Sequence, residues 1–253
     1  MSLDTINLDG LSGAKISLYN NEIIKECAPS YSDRLLKQAE LQNKFANLDD
    51  LPPNVYPVKI KKIPDRTTVV MDFIRSPNLH NKIELLSPSE ITKLSSILRS
   101  LIRYEKHKEL PDQYYHIKMA KKIEDIEDIS VRSKIERLLF RSSPIPTTLS
   151  HGDLTLSNII YSCNNVYLID FLDGFISSYI LDICKLRQDL VYNYSDSKIS
   201  PRRAICYSYI INEVMKECDI DSYTLRLFDV LNFARILPYV KDKTKIMEII
   251  DSI

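Results

Sequence analysis

Residues 151 to 171 read HGDLTLSNIIYSCNNVYLIDF, and this stretch decides the fold that the sequence predicts. Two short β-like runs flank Asn164-Asn165, a pair that suits the two-residue loop of a hairpin. With that pair at the tip, Ile159 is expected opposite Asp170. Asn158, one position further out, is expected opposite Phe171. Directly opposed residues are about 5 Å apart, so the open end of the hairpin should bring Asn158 and Asp170 together.

Three oxygen-bearing side chains are therefore expected in one place. Asn158 offers an amide oxygen, Asp170 offers a carboxylate, and Asp153 lies on the loop just before the hairpin. A few hard oxygen ligands of this kind suit Mg²⁺ that keeps several water and phosphate ligands. The stretch predicts a magnesium site.

The composition is that of an ordinary globular chain. The chain has 253 residues, of which 44% are hydrophobic, and 34 basic residues balance 34 acidic ones. Because there is no basic surplus, nucleic acid is not an expected partner. The apolar runs are far shorter than the ~18–20 residues of a membrane span, and the first residues lack the pattern of a signal peptide. We therefore expect a cytoplasmic protein without a membrane partner.

The character of the sequence changes near Pro77. Before it, β-like runs alternate with one helical segment from about Ser32 to Ala46, and Asn20-Asn21 suits the turn of a first hairpin. After it, helical patterns dominate, beginning with a capping box at Ser87 and Glu90. The predicted fold is α+β, with a small antiparallel lobe at residues 1–75 and a larger, mainly helical lobe at residues 76–253.

The central motif also carries a family resemblance. His151-Gly152-Asp153, with Asn158 and then Ile169-Asp170-Phe171, resembles the catalytic core of the aminoglycoside phosphotransferase and choline kinase family, which has a protein-kinase-like fold. The resemblance implies a small-molecule kinase that transfers the γ-phosphoryl group of ATP to a hydroxyl. It also implies that Asp153 is the catalytic base and that Asn158 and Asp170 bind Mg²⁺.

The small lobe is expected to hold the nucleotide. Ser12 and Gly13 precede the first hairpin and could bring backbone N–H groups to phosphate oxygens. A turn at Asn20-Asn21 puts Ile16 opposite Lys25 and Leu18 opposite Ile23, all four on one face. By the kinase template, Lys25 reaches the α- and β-phosphates, and a helix carboxylate orients it. Ile16 and Ile23 are expected to cover the adenine, and Glu40 is expected to orient Lys25.

Residues 69–74 resemble the family's strand into the interlobe hinge. By that match, Met71 lies at the back of the adenine pocket, while the Asp72 carbonyl and the Ile74 N–H form hydrogen bonds with adenine. Ile169, beside the metal position, is expected to line the same pocket.

Departures from protein kinases indicate a small acceptor rather than a protein substrate. Gly152 stands where protein kinases have arginine, and Thr155 stands where they have a lysine for the γ-phosphate. The segment from Asp170 to Asp182 is too short for an activation loop and a peptide platform. We expect Asp182 to accept hydrogen bonds from the backbone of the His151-Gly152 loop.

The acceptor itself is left open by the sequence. The chain has no Trp for a choline cage, and basic residues such as Lys185 dilute the acidic surface that an aminoglycoside needs. A sugar or polyol fits slightly better. A nucleotide-binding, pseudokinase-like module without catalysis is the alternative function. The candidate acceptor contacts are Asp173, Arg187, Asp189, Tyr192, Tyr194 and Glu213.

Overall fold

The computed structural model describes residues 14–111, 115–174, 176–196, 198–240 and 242–253. The small lobe is a four-stranded antiparallel sheet in the order β1-β2-β5-β4. The strands are β1 (Lys15–Tyr19), β2 (Glu22–Glu26), β4 (Ile60–Asp65) and β5 (Thr68–Asp72).

The first hairpin has the predicted register. Ile16 pairs with Lys25 and Leu18 with Ile23, because Asn20 and Asn21 both adopt left-handed backbone angles, with φ of 49° and 62°. This is the type I′ geometry whose twist matches that of the two strands.

Helix α1 (Ser32–Ala46) joins the two lobes through its buried stripe. Leu35 and Ala39 pack with Val69 and Met71 of the small sheet. Two further steps of three residues, through Gln42, lead to Phe45, which belongs to the main core. The spacing of these positions, at three or four residues, is that of an amphipathic helix.

The second sheet is mixed and has the order β3-β7-β6. Strand β3 (Val55–Pro57) runs parallel to β7 (Asn165–Leu168), which pairs antiparallel with β6 (Ile159–Ser162). The sequence patterns did not predict β3. Residues 55–57 thus belong to the sheet of the central hairpin, although they fall within the predicted small lobe.

The register of this hairpin corrects the sequence prediction. Its loop is Cys163-Asn164, with φ of 50° and 61°, and Ile159 lies opposite Leu168 instead of Asp170. The observed register also opposes Tyr161 to Val166, so buried apolar side chains face one another. The predicted register would have set the fully buried Ile159 against a carboxylate.

The large lobe is helical. Helix α3 begins with the predicted capping box between Ser87 and Glu90, with Pro88 as its first residue. Within the part of the chain that the structure describes, no helix has the length and apolar character needed to cross a lipid bilayer. The helices are α2 (Leu79–Lys82), α3 (Pro88–Lys106), α4 (Tyr115–Glu124), α5 (Ile129–Arg141), α6 (Tyr179–Leu190), α7 (Pro201–Met215), α8 (Ser222–Ala234) and α9 (Thr244–Ser252).

Candidate active site

The loop that carries Asp153 is fixed from behind by α6. The backbone N–H groups of His151 and Gly152 both donate to the carboxylate of Asp182, which is fully buried. This confirms the expected contact of Asp182. Gly152 has φ of +82°, and a Cβ there would lie 1.9 Å from the carbonyl oxygen of Leu172. Only glycine fits this turn.

His151 connects the loop to the end of the central hairpin. Its Nδ1 accepts the backbone N–H of Asp153 at 3.2 Å, so its Nε2 carries the proton and donates to the Ile169 carbonyl at 2.9 Å. The ring also packs on Phe171, with centroids 4.1 Å apart. Complete burial lowers the pKa of His151 to about 4, which keeps the imidazole neutral near pH 7.

Asp153 is held at both carboxylate oxygens. Its Oδ1 lies 2.9 Å from the ammonium of Lys185, and its Oδ2 accepts from the Asn158 amide at 3.0 Å. Burial raises the pKa of Asp153, but the charge and hydrogen bond of Lys185, aided by Arg235, outweigh burial and leave the pKa below its usual value. With 29% of its side chain exposed, Asp153 presents an ionised, oriented carboxylate to the cleft.

Lys185 is a site residue whose role the sequence patterns did not predict. It had entered only as a positive charge near the acceptor region, whereas in the structure it is 3% exposed and contacts the candidate base directly. A lysine at this position on a buried helix face is a visible anomaly in the sequence. What it contacts depends on how α6 packs.

Asn158 and Asp170 adjoin one another at the end of the hairpin. The Ile169 N–H donates to the Asn158 carbonyl at 3.1 Å, so Asp170 follows directly after this contact. The Asn158 amide nitrogen donates to both the carbonyl and the carboxylate of Asp153, which fixes the orientation of the amide. Asp170 adopts a left-handed φ of 59°, and its N–H donates to the Gln42 side chain at 3.0 Å.

This donor set fits a magnesium ion. One carboxylate and one amide oxygen are few protein ligands, as expected where phosphate and water complete the octahedral shell. Among the described residues, no group of three or more His, Cys, Asp or Glu side chains forms a metal cage. Asp170 and Asn158 are therefore suited to a metal that arrives with its nucleotide.

Lys25 joins the small lobe to this centre. Its ammonium lies 2.8 Å from the Asp170 carboxylate, and the residue is 6% exposed. The predicted pairing of Lys25 with Glu40 is wrong, because Glu40 lies exposed on α1. Adjacent helix positions are about 100° apart, so the residue after the buried Ala39 turns away from the sheet.

Gln42 lies on the buried face instead and was also missed. It contacts the Val58 carbonyl and the Asp170 N–H and is 2% exposed. Its spacing from Leu35 and Ala39 puts it on their stripe. A polar residue in an apolar stripe was the signal that could have identified it.

The residues expected around adenine are partly brought together. The buried Met71 packs in one small cluster with Ile23, Ile74 and Ile169. Ile16 is half-buried on β1, which pairs with the strand of Ile23, and the side chain of Asp72 is exposed and pairs with Lys61 at 2.8 Å. Ser12 and Gly13 lie outside the described residues.

Three of the expected acceptor contacts have a structural role instead. Arg187 and Tyr192 both bind the fully buried Asp229, at 2.8 and 2.7 Å, and so fasten α6 to α8. Asp189 is fully buried and accepts the Leu156 N–H at 2.9 Å. These three side chains support the interior of the large lobe, because each is engaged by a partner within that lobe.

Of the remaining candidate acceptor contacts, Glu213 and Tyr194 interact with other side chains, and Asp173 is exposed. Glu213 pairs with Arg99 at 3.1 Å, and Tyr194 packs its ring against Phe233. Asp173 is exposed on the loop that follows Asp170, which keeps it as a predicted acceptor contact.

Comparison with known proteins identifies the fold. No protein-family model and no curated protein sequence matches the chain. Among solved structures, a GDP and kanamycin complex of the aminoglycoside phosphotransferase APH(2″)-IIIa is 16% identical with a TM-score of 0.65, covering 100% of this chain and 92% of that one. The ADP-bound phosphotransferase APH(2″)-Ib is 14% identical with a TM-score of 0.65, covering 97% and 91%.

A choline kinase has the same architecture. LicA from Streptococcus pneumoniae is 15% identical with a TM-score of 0.63, covering 100% of this chain and 94% of that one. These likenesses confirm the predicted α+β fold with a small antiparallel lobe and a larger helical lobe. The chain has the fold of small-molecule kinases along nearly its whole length.

Proposed function

We propose that this protein is an ATP- and Mg²⁺-dependent phosphotransferase that moves the γ-phosphoryl group to a hydroxyl of a small molecule. One observation carries the proposal: the pair of Asp153 with Asn158 and the pair of Asp170 with Lys25 meet at the end of one hairpin. These are the base, metal-ligand and phosphate-binding groups that phosphoryl transfer needs.

Asp153 orients the acceptor. Its carboxylate, held by Lys185 and Asn158, accepts a hydrogen bond from the acceptor hydroxyl and points that oxygen at the γ-phosphorus. As the new oxygen–phosphorus bond forms, the bond from the γ-phosphorus to the ADP oxygen breaks. The hydroxyl proton passes to Asp153 and then to water. Because the pKa of Asp153 is depressed, positioning contributes more than basicity.

Asp170 and Asn158 would hold the magnesium ion, which neutralises phosphate charge when bound. Lys25 is bound to Asp170 at 2.8 Å, and it would bind the α- and β-phosphates once nucleotide enters the cleft. Ile23, Met71, Ile74 and Ile169, which pack in one apolar cluster, would line the adenine side.

A small acceptor is favoured over a protein. Helix α6 begins at Tyr179, shortly after Asp170, which leaves little chain for a peptide platform. Solved proteins of this fold include complexes with streptomycin and kanamycin. The cytoplasmic location and the division into lobes at residues 75 and 76 remain predictions.

Turnover by an Asp153→Asn variant tests the function. The full chain is assayed for ADP release with ATP and Mg²⁺ over amino alcohols, sugars, sugar acids, sugar phosphates and aminoglycosides. We expect the variant to lose at least ~100-fold in kcat, the usual contribution of a positioned acid–base group, with ATP affinity nearly intact.

Asp219→Asn is the matched control, since Asp219 is an exposed aspartate after α7. Normal turnover by the Asp153 variant would contradict the assignment. Tight ATP binding with no turnover by the wild-type chain would favour the pseudokinase-like alternative.

A further inference from the structure

The parallel ladder between β3 and β7 continues past the ends of both strands towards Asp170. Pro57 pairs with Leu168 in the register of the two strands, and the Val58 N–H donates to the Leu168 carbonyl at 2.9 Å. In a regular parallel ladder the next bond would run from the Asp170 N–H to the Val58 carbonyl, because each residue of one strand bonds to the residues on either side of its partner.

The side-chain amide of Gln42 occupies this place in the ladder. Its oxygen accepts the Asp170 N–H at 3.0 Å, and its nitrogen donates to the Val58 carbonyl at 2.5 Å. The amide can bridge the two backbone groups because it offers one acceptor and donor hydrogens, as a peptide unit does. Gln42 is 2% exposed, so these bonds are shielded from water. A side chain of α1 thus replaces one bond of the sheet.

The bridge coincides with a sharp change in the backbone of the hairpin. Asp170 has φ of 59°, in the left-handed region, directly after the strand pairing ends. A residue other than glycine keeps this conformation only where its surroundings hold it. Interruptions of a ladder commonly re-aim a side chain at the end of a strand. Here the re-aimed side chain is the Asp170 carboxylate, which lies 2.8 Å from the ammonium of Lys25.

The small lobe therefore holds Asp170 at two points, and the two contacts differ in kind. Lys25 on β2 contacts the carboxylate, whereas Gln42 on α1 contacts the backbone N–H. From the large lobe, Asn158 and His151 hold the preceding residue, Ile169, at its N–H and its carbonyl. The direction of the Asp170 carboxylate is thus set by contacts with both lobes.

We propose that Gln42 is a positioning residue for the metal: through the backbone of Asp170 it aims the carboxylate that binds Mg²⁺. This inference rests on the proposed function. Nucleotide and metal would replace the ion pair of Lys25, but the bond from the Asp170 N–H to Gln42 stays in place when they bind. The kinase template has a carboxylate on this helix that orients the lysine. Here the buried polar residue of the helix is a neutral amide that orients the aspartate.

Calorimetry with a non-hydrolysable ATP analogue tests this role. The analogue is titrated into the full chain with and without Mg²⁺, and the ratio of the two affinities gives the contribution of the metal. Gln42→Met keeps the length of the side chain and removes its amide. We expect this variant to lower the ratio ~10-fold, the usual cost of removing a group that orients a metal ligand. Its affinity without Mg²⁺ should stay near that of the wild type, because Lys25 remains on its strand.

Two further variants control for packing and folding. Gln38→Met is the same change one turn earlier on α1, at a half-buried glutamine, and should leave the ratio as in the wild type. Gln42→Asn keeps an amide at the position, but its side chain is one methylene too short to bridge Val58 and Asp170, so the ratio should again fall. Urea unfolding establishes which variants are folded, and Gln42→Asn decides the question if Gln42→Met is not.

Electron paramagnetic resonance of Mn²⁺ gives a second readout that does not depend on turnover. Mn²⁺ prefers the same oxygen ligands as Mg²⁺, and its free form has a signal that is lost on binding. With the analogue present, we expect Gln42→Met to bind Mn²⁺ ~10-fold more weakly than the wild type. A residue that only supports the fold would leave the metal affinity of the folded protein unchanged.

An unchanged Mg²⁺ ratio in the folded Gln42 variants would overturn the inference. So would an equal loss of affinity with and without Mg²⁺, which would assign Gln42 to the support of the nucleotide pocket, or a loss of the same size in Gln38→Met. If Mg²⁺ brought no gain in affinity to the wild type, the metal dependence of the proposed function would fail first, and the inference with it.

Discussion

Two buried lysine–aspartate pairs define this site, and they differ in what they connect. Lys185 and Asp153 lie 2.9 Å apart within the large lobe, whereas Lys25 and Asp170 lie 2.8 Å apart across the two lobes. Both lysines are almost inaccessible, and both aspartates keep about a third of their surface exposed.

Their supports differ as well. Lys185 is backed by Gln188 and, through it, by α8, so its pair is held entirely within the large lobe. Lys25 projects from a strand of the small sheet, which meets the large lobe mainly through α1. The first pair is a fixed element that orients Asp153. Under the proposed function the second is exchangeable, because nucleotide phosphates and a metal ion would offer each partner a better-matched charge.

The largest effect is expected from breaking the exchangeable pair at its aspartate. Asp170→Ala should abolish the gain in ATP affinity that Mg²⁺ provides, because Asp170 is the carboxylate of the proposed metal site. Calorimetric titration of ATP with and without Mg²⁺ measures this gain. The same titration of Asp219→Ala is the control, and an unchanged Mg²⁺-dependent affinity in the Asp170 variant would rule out its role as a ligand.

His151 links the two pairs and should make stability depend on pH. Its pKa is about 4 in the folded protein against an ordinary value of 6.5, so the unfolded chain binds a proton in this range that the folded chain does not. The stabilisation is fully present above pH 6.5 and falls as the pH drops to 4, and a shift of this size corresponds to about 3 kcal/mol.

Urea unfolding of wild type and His151→Gln between pH 7 and pH 4 isolates this contribution. We expect the free energy of unfolding to decline more steeply for the wild type. Parallel declines, or an NMR titration of His151 with a pKa near 6.5, would show that the imidazole is not held neutral by burial.

The smallest expected effect is a difference in the free energy of unfolding between variants of the two lysines. Lys185→Met should lower the free energy of unfolding by about 2 kcal/mol, because it leaves a partly buried carboxylate without its cation. Lys25→Met should cost less than about 1 kcal/mol, since its partner Asp170 belongs to the other lobe, yet it should weaken ATP binding. Equal losses of stability, measured by urea unfolding at pH 7, would remove the distinction between fixed and exchangeable pairs.

The two hairpins show how far local sequence can be trusted. Asn20-Asn21 formed the expected turn, whereas the second loop is Cys163-Asn164, although Asn164-Asn165 was the better turn by residue preference. Strand β3 also pairs with β7, and local patterns could not show such a contact. In the second hairpin, the observed register opposes the fully buried Ile159 to the fully buried Leu168, whereas the turn preferred by residue type would have set Ile159 against the carboxylate of Asp170.

The sequence by itself determined the elements whose causes are local. These are the Asn-Asn turn, the capping box at Ser87, the glycine that the 151–153 loop requires, and the order of polar groups along the central motif. Each depends on backbone geometry within a few residues.

Only the tertiary structure decided which charges meet. Lys25 and Asp170 are 145 residues apart, and Lys185 reaches Asp153 because α6 packs behind the loop that Asp182 holds. The partner of Lys25 is an aspartate rather than Glu40 for the same reason. The energy of an ion pair depends on distance and burial, and both are set by how distant elements pack.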